Sequence, residues 1–255
     1  MLILERKENL KLALVGYGRM GQTVEKIATK RGHNIVAKID PHLATHIRGS
    51  QTLPEIDVAI EFSTPKAAPK NIADLAAAGV NTVSGTTGWH NNLQQTTEIV
   101  NAAGTGLIYA PNFSLGIHIV EEIAKLAGQM SNFVGGYESS IHESHHKHKV
   151  DEPSGTAIAI ANTLVDQISS KDNWTSGSPP TQPDPDTLYI TSTREGENPG
   201  NHIIKFENEH ERIEIAHQAS NRDGFALGAV LAAEWICGKV GVFTLRDMFP
   251  REDTE

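Results

Sequence analysis

A glycine-rich turn between an apolar run and a helical pattern is the feature that most constrains how this chain folds. Residues 10–15 are apolar, residues 16–21 read Gly-Tyr-Gly-Arg-Met-Gly, and a helical pattern covers residues 20–31. In a strand–turn–helix unit, the first glycine permits a tight turn, the second lets the backbone approach a pyrophosphate, and the third lets the helix pack closely. N–H groups at the helix N-terminus then bind the phosphates. The sequence therefore predicts a dinucleotide site that includes Gly16, Tyr17, Gly18, Arg19, Met20 and Gly21.

An acidic residue follows at the distance that this pattern expects. Asp40 ends the next apolar run, about 20 residues beyond the last glycine of the turn. A carboxylate there accepts hydrogen bonds from ribose hydroxyls and repels a 2′-phosphate. We therefore expect Asp40 to bind the cofactor, and NADH to be used at least as well as NADPH. The competing interpretation is a plain glycine turn in an α/β protein that binds no dinucleotide.

Short apolar runs alternate with helical patterns through the first hundred residues, as they do in stacked βαβ units. The predicted strands are residues 10–15, 35–39, 58–62, 81–83 and 106–109, and the predicted helices are residues 20–31, 65–78 and 91–102. Ligands of open parallel sheets bind beyond the carboxyl ends of the strands. Two more loops begin there, and we expect them to complete the cofactor site with Gly85, Thr86, Thr87, Ala110, Pro111, Asn112 and Phe113.

The second half of the chain has a different pattern. We expect helices at residues 117–130, 156–169 and 224–237, a strand at 137–141, and a half-exposed antiparallel sheet formed by residues 187–193, 202–207 and 211–216. The predicted fold class is α/β, an N-terminal Rossmann domain with an inserted α+β domain for substrate binding and oligomerisation. We predict that residues 1–113 and 225–255 form the first domain and residues 114–224 the second.

A histidine-rich segment is the most unusual part of the sequence. Residues 142–149 read His-Glu-Ser-His-His-Lys-His-Lys, and Ser154, Gly155 and Thr156 follow at the start of a predicted helix. Histidine titrates near neutral pH, lysine donates protons or holds carboxylates, and a helix N-terminus binds anions. Together these residues predict a site for a small polyanion that also carries acid–base groups.

Two other interpretations of this segment stay open. Clustered histidine and glutamate side chains are metal ligands, but the adjacent His145 and His146 would point in opposite directions on an extended strand. Two lysines in the segment would also repel a dication, and we therefore predict no metal site. The remaining interpretation is a solvated polar loop without a function.

The same segment resembles a known family. Residues 143–157 read Glu-Ser-His-His-Lys-His-Lys-Val-Asp-Glu-Pro-Ser-Gly-Thr-Ala, which is similar to the signature E-x-H-H-x-x-K-x-D-x-P-S-G-T-A of the dihydrodipicolinate reductases. Further similarities lie at residues 16–21, 62–65, 85–88, 112–116, 192–202 and 217–225. The resemblance therefore extends over nearly the whole chain.

The resemblance implies an NAD(P)H-dependent oxidoreductase of lysine (diaminopimelate) biosynthesis, which reduces a small cyclic imine dicarboxylate to tetrahydrodipicolinate. It implies that His145 donates and accepts a proton and that Lys149 is a second proton donor. The substrate carboxylates are then bound by His146, Ser154, Gly155 and Thr156. The resemblance also implies a homotetramer in which the substrate domains share a sheet.

Three departures from the family pattern are visible. The glycine turn is one residue shorter than in many members. Pro41 stands where NADPH-using members often have an arginine, although Lys38, His42 and Arg48 are nearby cations. Glu152 replaces the common alanine before the proline of the signature, and nothing in the sequence explains it.

Composition limits the remaining classes of function. A net charge of −9 and a pI of about 5.7 argue against nucleic-acid binding, and no stretch approaches the ~20 apolar residues of a membrane helix. The single cysteine, Cys237, suits a reducing cytoplasm. The alternatives are a related NAD-dependent dehydrogenase of another small acid and a non-catalytic NAD(P)-sensing protein, and the histidine–lysine segment argues against both.

Overall fold

The computed structural model describes residues 9–43 and 55–249. The described residues form two compact units. The first runs to Ser114 and resumes at Arg222, and the second is Leu115–Asn221. Within these residues, no helix has both the length and the apolar character that spanning a membrane requires.

The regular elements of both units follow in chain order. They are β1 (Lys11–Val15), α1 (Arg19–Lys30), β2 (Asn34–Ile39), β3 (Val58–Glu61), α2 (Ala68–Ala77), β4 (Asn81–Ser84), α3 (Leu93–Ala103), β5 (Gly106–Tyr109), α4 (Leu115–Val134), β6 (Glu138–His145), α5 (Gly155–Gln167), β7 (Asn173–Ser176), β8 (Thr187–Arg194), β9 (Asn201–Glu207), β10 (Arg212–Gln218), α6 (Asp223–Ile236) and β11 (Gly241–Thr244).

The first unit is a parallel sheet between helices, which confirms the predicted Rossmann-type fold. Its described strands lie in the order β2-β1-β3-β4-β5-β11, and every pairing is parallel. β3 and β4 are buried at every position because both faces of the sheet are covered. The chain leaves β1 toward β2 on one side and reaches β3 on the other, so a crevice is expected at the carboxyl ends of β1 and β3. The sequence analysis missed β11, a short strand at the sheet edge.

Helix α6 packs against α1, and a buried carboxylate joins the two ends of the chain in this unit. Glu234 of α6 is 2% exposed and accepts hydrogen bonds of 2.7 and 2.9 Å from the guanidinium of Arg31. The Nε2 atom of His33 lies 2.8 Å from the same carboxylate, while its Nδ1 accepts the N–H of Leu10. Glu234 thereby fixes the C-terminal helix to the turn between α1 and β2.

The second unit has a mixed sheet in the order β10-β9-β6-β8-β7. β9 pairs antiparallel with β6 and β10, but β8 pairs parallel with β6 and β7. The expectation of an antiparallel sheet is therefore correct for β9 and β10 but wrong for β8. Helix α5 connects β6 to β7, and a helical crossover returns the chain in the same direction. The sequence analysis also missed β7.

Helices α4 and α5 bury one side of this sheet. Ile141, Ile190 and Ile204 come from three adjacent strands and pack with Ile160 and Leu164 of α5. This apolar cluster fixes the three central strands against the helix that follows the histidine-rich segment.

Strand β6 extends farther than the sequence suggested. Glu143 and His145, which the sequence analysis assigned to a loop, lie on the strand because both neighbouring strands pair with it: Glu143 lies opposite His202 of β9, and His145 lies opposite Arg194 of β8. Alternate residues of a strand share a face, so Ile141 lies on the same face as both. The apolar core therefore gives way to charged and titratable side chains at the carboxyl end of β6.

Replacing Glu234 by leucine tests the ion pair that holds α6. The substitution removes the buried carboxylate that His33 and the guanidinium of Arg31 share, so we expect the free energy of unfolding to fall by about 3–5 kcal/mol. Urea denaturation measures the change. Glu98→Leu, on the exposed side of α3, is the control and should change stability by less than about 0.5 kcal/mol. A loss below about 1 kcal/mol for Glu234→Leu would contradict the assigned role.

Candidate active site

The glycine turn after β1 requires glycine at two positions for steric reasons. Gly16 has a φ of +85°, and a Cβ there would lie 2.1 Å from the carbonyl oxygen of Phe62. A Cβ on Gly21 would lie 2.4 Å from the carbonyl oxygen of Gly16. No side chain fits at such distances, so Gly16 makes the turn and Gly21 lets α1 pack against it.

The middle glycine of the turn, Gly18, has free space beside its Cα instead. A Cβ on Gly18 would meet no protein atom within 4 Å. Gly18 also caps α1, whose first turn contains no acidic residue, and the N–H groups of that turn have no partner within the helix. Arg19 is exposed and Met20 half-buried at the same helix end. This arrangement fits the pyrophosphate of a dinucleotide, because space, N–H donors and the positive end of the helix dipole coincide.

Asp40 connects the end of β2 to this turn. Its two oxygens accept hydrogen bonds from the backbone N–H groups of Tyr17, at 2.7 Å, and His42, at 2.9 Å. These two bonds lower the pKa of Asp40 below its ordinary value, so the carboxylate is ionised at neutral pH. Each oxygen keeps a further lone pair for a ligand hydroxyl. Nearby Lys38 forms a 2.7 Å ion pair with Glu25, and Arg48 lies outside the described residues.

A buried carboxylate that the sequence analysis missed organises the next two loops. Glu61 ends β3 with no exposure to solvent. It accepts hydrogen bonds from the hydroxyls of Ser63, Ser84 and Thr86 and from the N–H of Ser63. Gly85 allows the Phe62 ring to lie against its Cα, since a Cβ there would be 2.0 Å from a ring carbon. The loops after β3 and β4 are thus held together at the carboxyl edge of the sheet.

The remaining predicted cofactor residues follow β4 and β5. Thr87 is exposed, Ala110 is buried and donates its N–H to the carbonyl of Ser84, and Pro111 is exposed. Asn112 accepts the N–H of Ser114 through its side-chain oxygen. Phe113 is 2% exposed, so its side chain is part of the core. All of the predicted cofactor residues belong to the first unit and follow the carboxyl ends of parallel strands.

A second cluster lies in the other unit, at the carboxyl end of β6. Glu143 has no exposure to solvent. One of its oxygens accepts a hydrogen bond from Nδ1 of His145, and the other accepts one from Arg194 at 2.7 Å. Burial would raise the pKa of Glu143, but these hydrogen bonds outweigh it and hold the pKa at about 2. The carboxylate is therefore ionised beside His145.

The N-terminus of α5 meets this cluster. Ser154 caps the helix by accepting the N–H of Ala157 at 3.2 Å, and its hydroxyl lies 3.2 Å from Nε2 of His202. Burial, followed by the nearby His145, lowers the pKa of His202 to about 3, so its ring is neutral at working pH. Gly155 is exposed, and a Cβ there would meet no protein atom within 4 Å. This helix end is therefore accessible to a small anion.

The loop between β6 and α5 carries the other predicted residues. Both oxygens of Asp151 lie within 2.8 Å of the Lys149 ammonium, and Arg194 donates to the backbone carbonyl of Asp151 at 2.7 Å. His146 donates its N–H to the carbonyl of Asn198 at 2.8 Å. Arg194 therefore links the Lys149–Asp151 pair to Glu143. Glu143 in turn binds His145, whose ring contacts His202. Glu152 is exposed, and nothing in the structure explains it.

Unsatisfied polar atoms mark the surroundings of this cluster. Within the described part of the chain, Nδ1 of His146, His202 and His217 is buried without a hydrogen-bond partner. Burial also lowers the pKa of His217. Buried polar atoms are normally paired, so three orphaned imidazole nitrogens beside a helix N-terminus indicate a polar ligand.

The geometry also bears on metal binding. Among the described residues, Glu143, His145 and His202 place three ligand atoms within 4.8 Å of one another. Both oxygens of Glu143 already accept hydrogen bonds, however, and the adjacent Arg194 guanidinium would repel a dication. The cluster fits a hydrogen-bonded acid–base site better than a metal centre.

The sequence analysis identified His145, His146, Lys149 and the α5 terminus, but it missed Glu143, Arg194, His202 and His217. For Glu143 one signal was available, because the family signature in the sequence begins at this residue. The partners on β8 and β9 depend on strand register, which this signal does not carry.

Comparison with known families decides the relationship. The family described as dihydrodipicolinate reductase, N-terminus, matches residues 10–113, and that described as dihydrodipicolinate reductase, C-terminus, matches residues 116–249. The chain belongs to the dihydrodipicolinate reductase family. Its members are NAD(P)H-dependent oxidoreductases, and both the dinucleotide turn and the histidine-rich segment lie within the matched regions.

Individual relatives agree with this membership. The 4-hydroxy-tetrahydrodipicolinate reductase of Christiangramia forsetii is 43% identical over 240 residues, which cover 94% of this chain and 97% of the relative. The enzyme of the same name from Neisseria meningitidis serogroup B is 30% identical, with 94% and 97% covered. Among solved structures, dipicolinate-bound dihydrodipicolinate reductase from Paenisporosarcina sp. TG-14 has the same fold, with a TM-score of 0.71, 22% identity, and 92% and 97% covered.

Two alanine substitutions separate ligand binding from folding at the glycine turn of this family member. Gly18→Ala adds a methyl group where no protein atom lies within 4 Å, so we expect unchanged thermal stability and NADH affinity weakened about 10-fold or more, or ~1.4 kcal/mol. Gly21→Ala brings a methyl group against the Gly16 carbonyl and should destabilise the protein by about 1–3 kcal/mol. Calorimetric titration and thermal unfolding measure both. Undiminished NADH binding by Gly18→Ala would remove the turn from the cofactor site.

Proposed function

We propose that this chain catalyses the NAD(P)H-dependent reduction of 4-hydroxy-tetrahydrodipicolinate to tetrahydrodipicolinate, with the residue roles given below. The observation that carries the proposal is the cluster at the end of β6. It combines an ionised Glu143 beside His145, orphaned imidazole nitrogens, and an accessible helix N-terminus, as a reaction on a small dicarboxylate requires. Membership of the dihydrodipicolinate reductase family supports the same reaction.

The cofactor is held by the first unit in this proposal. Gly18 and the first turn of α1 bind the pyrophosphate, Asp40 accepts from the ribose hydroxyls, and the loops after β4 and β5 enclose the nicotinamide end. Bound NAD(P)H supplies a hydride to C4 of the conjugated imine that forms when the substrate loses its 4-hydroxyl as water. The loop residues are Gly85, Thr86, Thr87, Ala110, Pro111, Asn112 and Phe113.

The substrate is held by the second unit. The N–H groups at the start of α5 bind a carboxylate, with Ser154 fixing the helix end and Gly155 and Thr156 forming its first turn. His146 supports this role because its buried Nδ1 atom has no hydrogen-bond partner among the described residues. Binding by backbone N–H groups fixes the ring of the substrate without adding a mobile side chain.

Proton transfer is the task of His145 and Lys149. Hydride addition to C4 leaves an enamine, and the carbon next to its nitrogen-bearing carbon must take a proton to restore the imine. His145 is placed for this donation because Glu143 stabilises the protonated ring. Lys149 supplies the second proton, which departs with the 4-hydroxyl as water, while His145 accepts the proton that the adjacent ring carbon loses in this elimination and later returns it to the enamine. Its ammonium is held by Asp151, whose pKa is lowered below its ordinary value: burial opposes this, but the Lys149 ion pair prevails.

We infer a preference for NADH, or equal use of both cofactors. Asp40 is ionised at the end of β2, where a 2′-phosphate would approach. The nearest described cation on that strand, Lys38, is neutralised by Glu25, which supports the inference.

A cytoplasmic homotetramer stays a prediction. Self-association is supported by an apolar stripe on α4, where Leu126 is 60% and Phe133 is 89% exposed, and by exposed Ile213 on the edge strand β10. Exposed apolar patches of this kind are typical of interfaces. Sedimentation equilibrium at the 27.6 kDa mass of one chain would contradict it.

A coupled assay tests the reaction and the cofactor together. The purified chain is combined with a synthase that forms the unstable substrate from pyruvate and aspartate semialdehyde, and oxidation of NADH and NADPH is followed by absorbance. We expect oxidation that depends on the synthase, with NADH at least as effective as NADPH. A strong NADPH preference would overturn the role of Asp40. No oxidation with either cofactor, from protein that still binds NADH, would favour a related dehydrogenase or a sensor.

The control variant for the assay is His145→Gln. Loss of a general acid lowers kcat by about 100-fold, and NADH affinity should stay unchanged because the cofactor residues belong to the other unit. An unaltered kcat would remove His145 from the mechanism.

A further inference from the structure

The position of Glu143 bears on more than the charge of His145. This residue lies on the central strand β6, paired with β8 and β9, and has no exposure to solvent. A buried carboxylate is unfavourable unless strong donors compensate for the lost water. Its donors here are Nδ1 of His145 and the guanidinium of Arg194.

The hydrogen bond to His145 has only one polarity. Glu143 is ionised at working pH, since its pKa is about 2 despite burial, and an ionised carboxylate accepts hydrogen bonds only. The proton of the neutral imidazole is therefore on Nδ1, and Nε2 carries the lone pair. Nε2 is then the atom that gains and loses the catalytic proton.

The surroundings keep the ring in this orientation. Gly200 lies beside Nε2, and a Cβ on this residue would be 2.7 Å from that nitrogen. The neutral ring of His202 contacts His145 edge-to-face, with centroids 5.2 Å apart and planes at 75°. The ring is thus in contact on both edges, and the hydrogen bond to Glu143 distinguishes its two nitrogens.

We propose that Glu143 is a positioning residue for His145, which fixes the Nδ1–H tautomer and stabilises the protonated ring, and that Arg194 orients Glu143. The proposal rests on the proposed function, in which His145 donates the proton. Glu143 contacts neither substrate nor cofactor in this scheme and acts through His145 alone.

Arg194 allows a specific prediction for a variant of Glu143, because its guanidinium group only donates hydrogen bonds. In a Glu143→Gln variant, Arg194 selects the amide oxygen, so the NH₂ group must face Nδ1 of His145. An NH₂ group donates, and it therefore favours the tautomer with the lone pair on Nδ1 and the proton on Nε2. The substitution keeps the size of the side chain but reverses the polarity of the hydrogen bond.

The experiment uses ¹⁵N NMR of histidine-labelled protein to read this tautomer. The His145 signals are assigned by their loss in His145→Gln. In the unsubstituted protein we expect protonated Nδ1 and unprotonated Nε2 in the neutral ring, and in Glu143→Gln the reverse. The Glu143→Gln/Arg194→Met double variant frees the amide to turn, so Nδ1–H should return in part. An Nε2–H tautomer in the unsubstituted protein would overturn the proposal even if Glu143→Gln did not fold.

Kinetics provide the second readout. Glu143→Gln should lower kcat about 100-fold, as loss of the general acid does, while the Kd of pyridine-2,6-dicarboxylate changes by less than about threefold. A merely structural role would instead alter Kd and thermal stability together with kcat. The matched control is Glu214→Gln, an exposed carboxylate on β10, which should leave all three unchanged.

The outcomes separate this proposal from the proposed function. Absence of synthase-dependent oxidation in the unsubstituted protein would defeat the function, while the tautomer of His145 would still report on Glu143. Normal kcat in Glu143→Gln, from an enzyme that His145→Gln inactivates, would overturn the positioning role alone.

Discussion

A carboxylate without access to water keeps its charge only where protein donors replace the lost hydration. The candidate active site depends on this constraint at Glu143, whose donors are His145 and Arg194. Removing either donor leaves a buried charge partly unpaired, and removing the carboxylate takes one of the acceptors of Arg194 and the acceptor of His145. Each position is fixed by strand pairing, because β6 lies between β8 and β9. The proposed acid–base group therefore lies on the central strand of its sheet, and the loop that follows carries proposed substrate-binding residues.

The first unit also contains a buried acidic side chain, and its donors are neutral. Glu61 is buried at the end of β3 and is surrounded by hydroxyl and N–H groups of Ser63, Ser84 and Thr86 rather than by a cation. The carboxylate therefore holds two loops at the carboxyl edge of the sheet, where a cofactor would meet them. Its loss would orphan several donors at once, each worth about 1–3 kcal/mol when buried. In both units, hydrogen bonds to a buried acidic side chain hold residues of a candidate site in place.

The sequence predicted the features that depend on nearby residues. It did not predict the contacts that depend on the register between strands. The glycine turn was predictable because its glycines belong to one short motif. Gly21 packs against the carbonyl of Gly16, and Gly16 packs against Phe62, which follows the neighbouring strand β3. The start of α5 was predictable from Ser154 for the same reason. Arg194 and His202 were not, because they reach Glu143 through pairings with β8 and β9 that no periodicity specifies. Residues 187–193 were expected in an antiparallel sheet with residues 202–216, but β8 pairs in parallel with β6 and β7, because alternation reports burial and not strand direction.

The two candidate sites are built in the same way, and this explains how an acidic protein can bind anionic ligands. In each unit a strand leads to a helix before the chain returns in parallel: a short turn connects β1 to α1, and a longer loop connects β6 to α5. Helix N-termini attract anions through oriented N–H groups, and this field is local. A chain with a formal net charge of −9 can thus bind a dinucleotide and a dicarboxylate without a basic surface. An added Cβ on Gly18 or on Gly155 would meet no protein atom within 4 Å, so each of these two helix ends has space for a ligand.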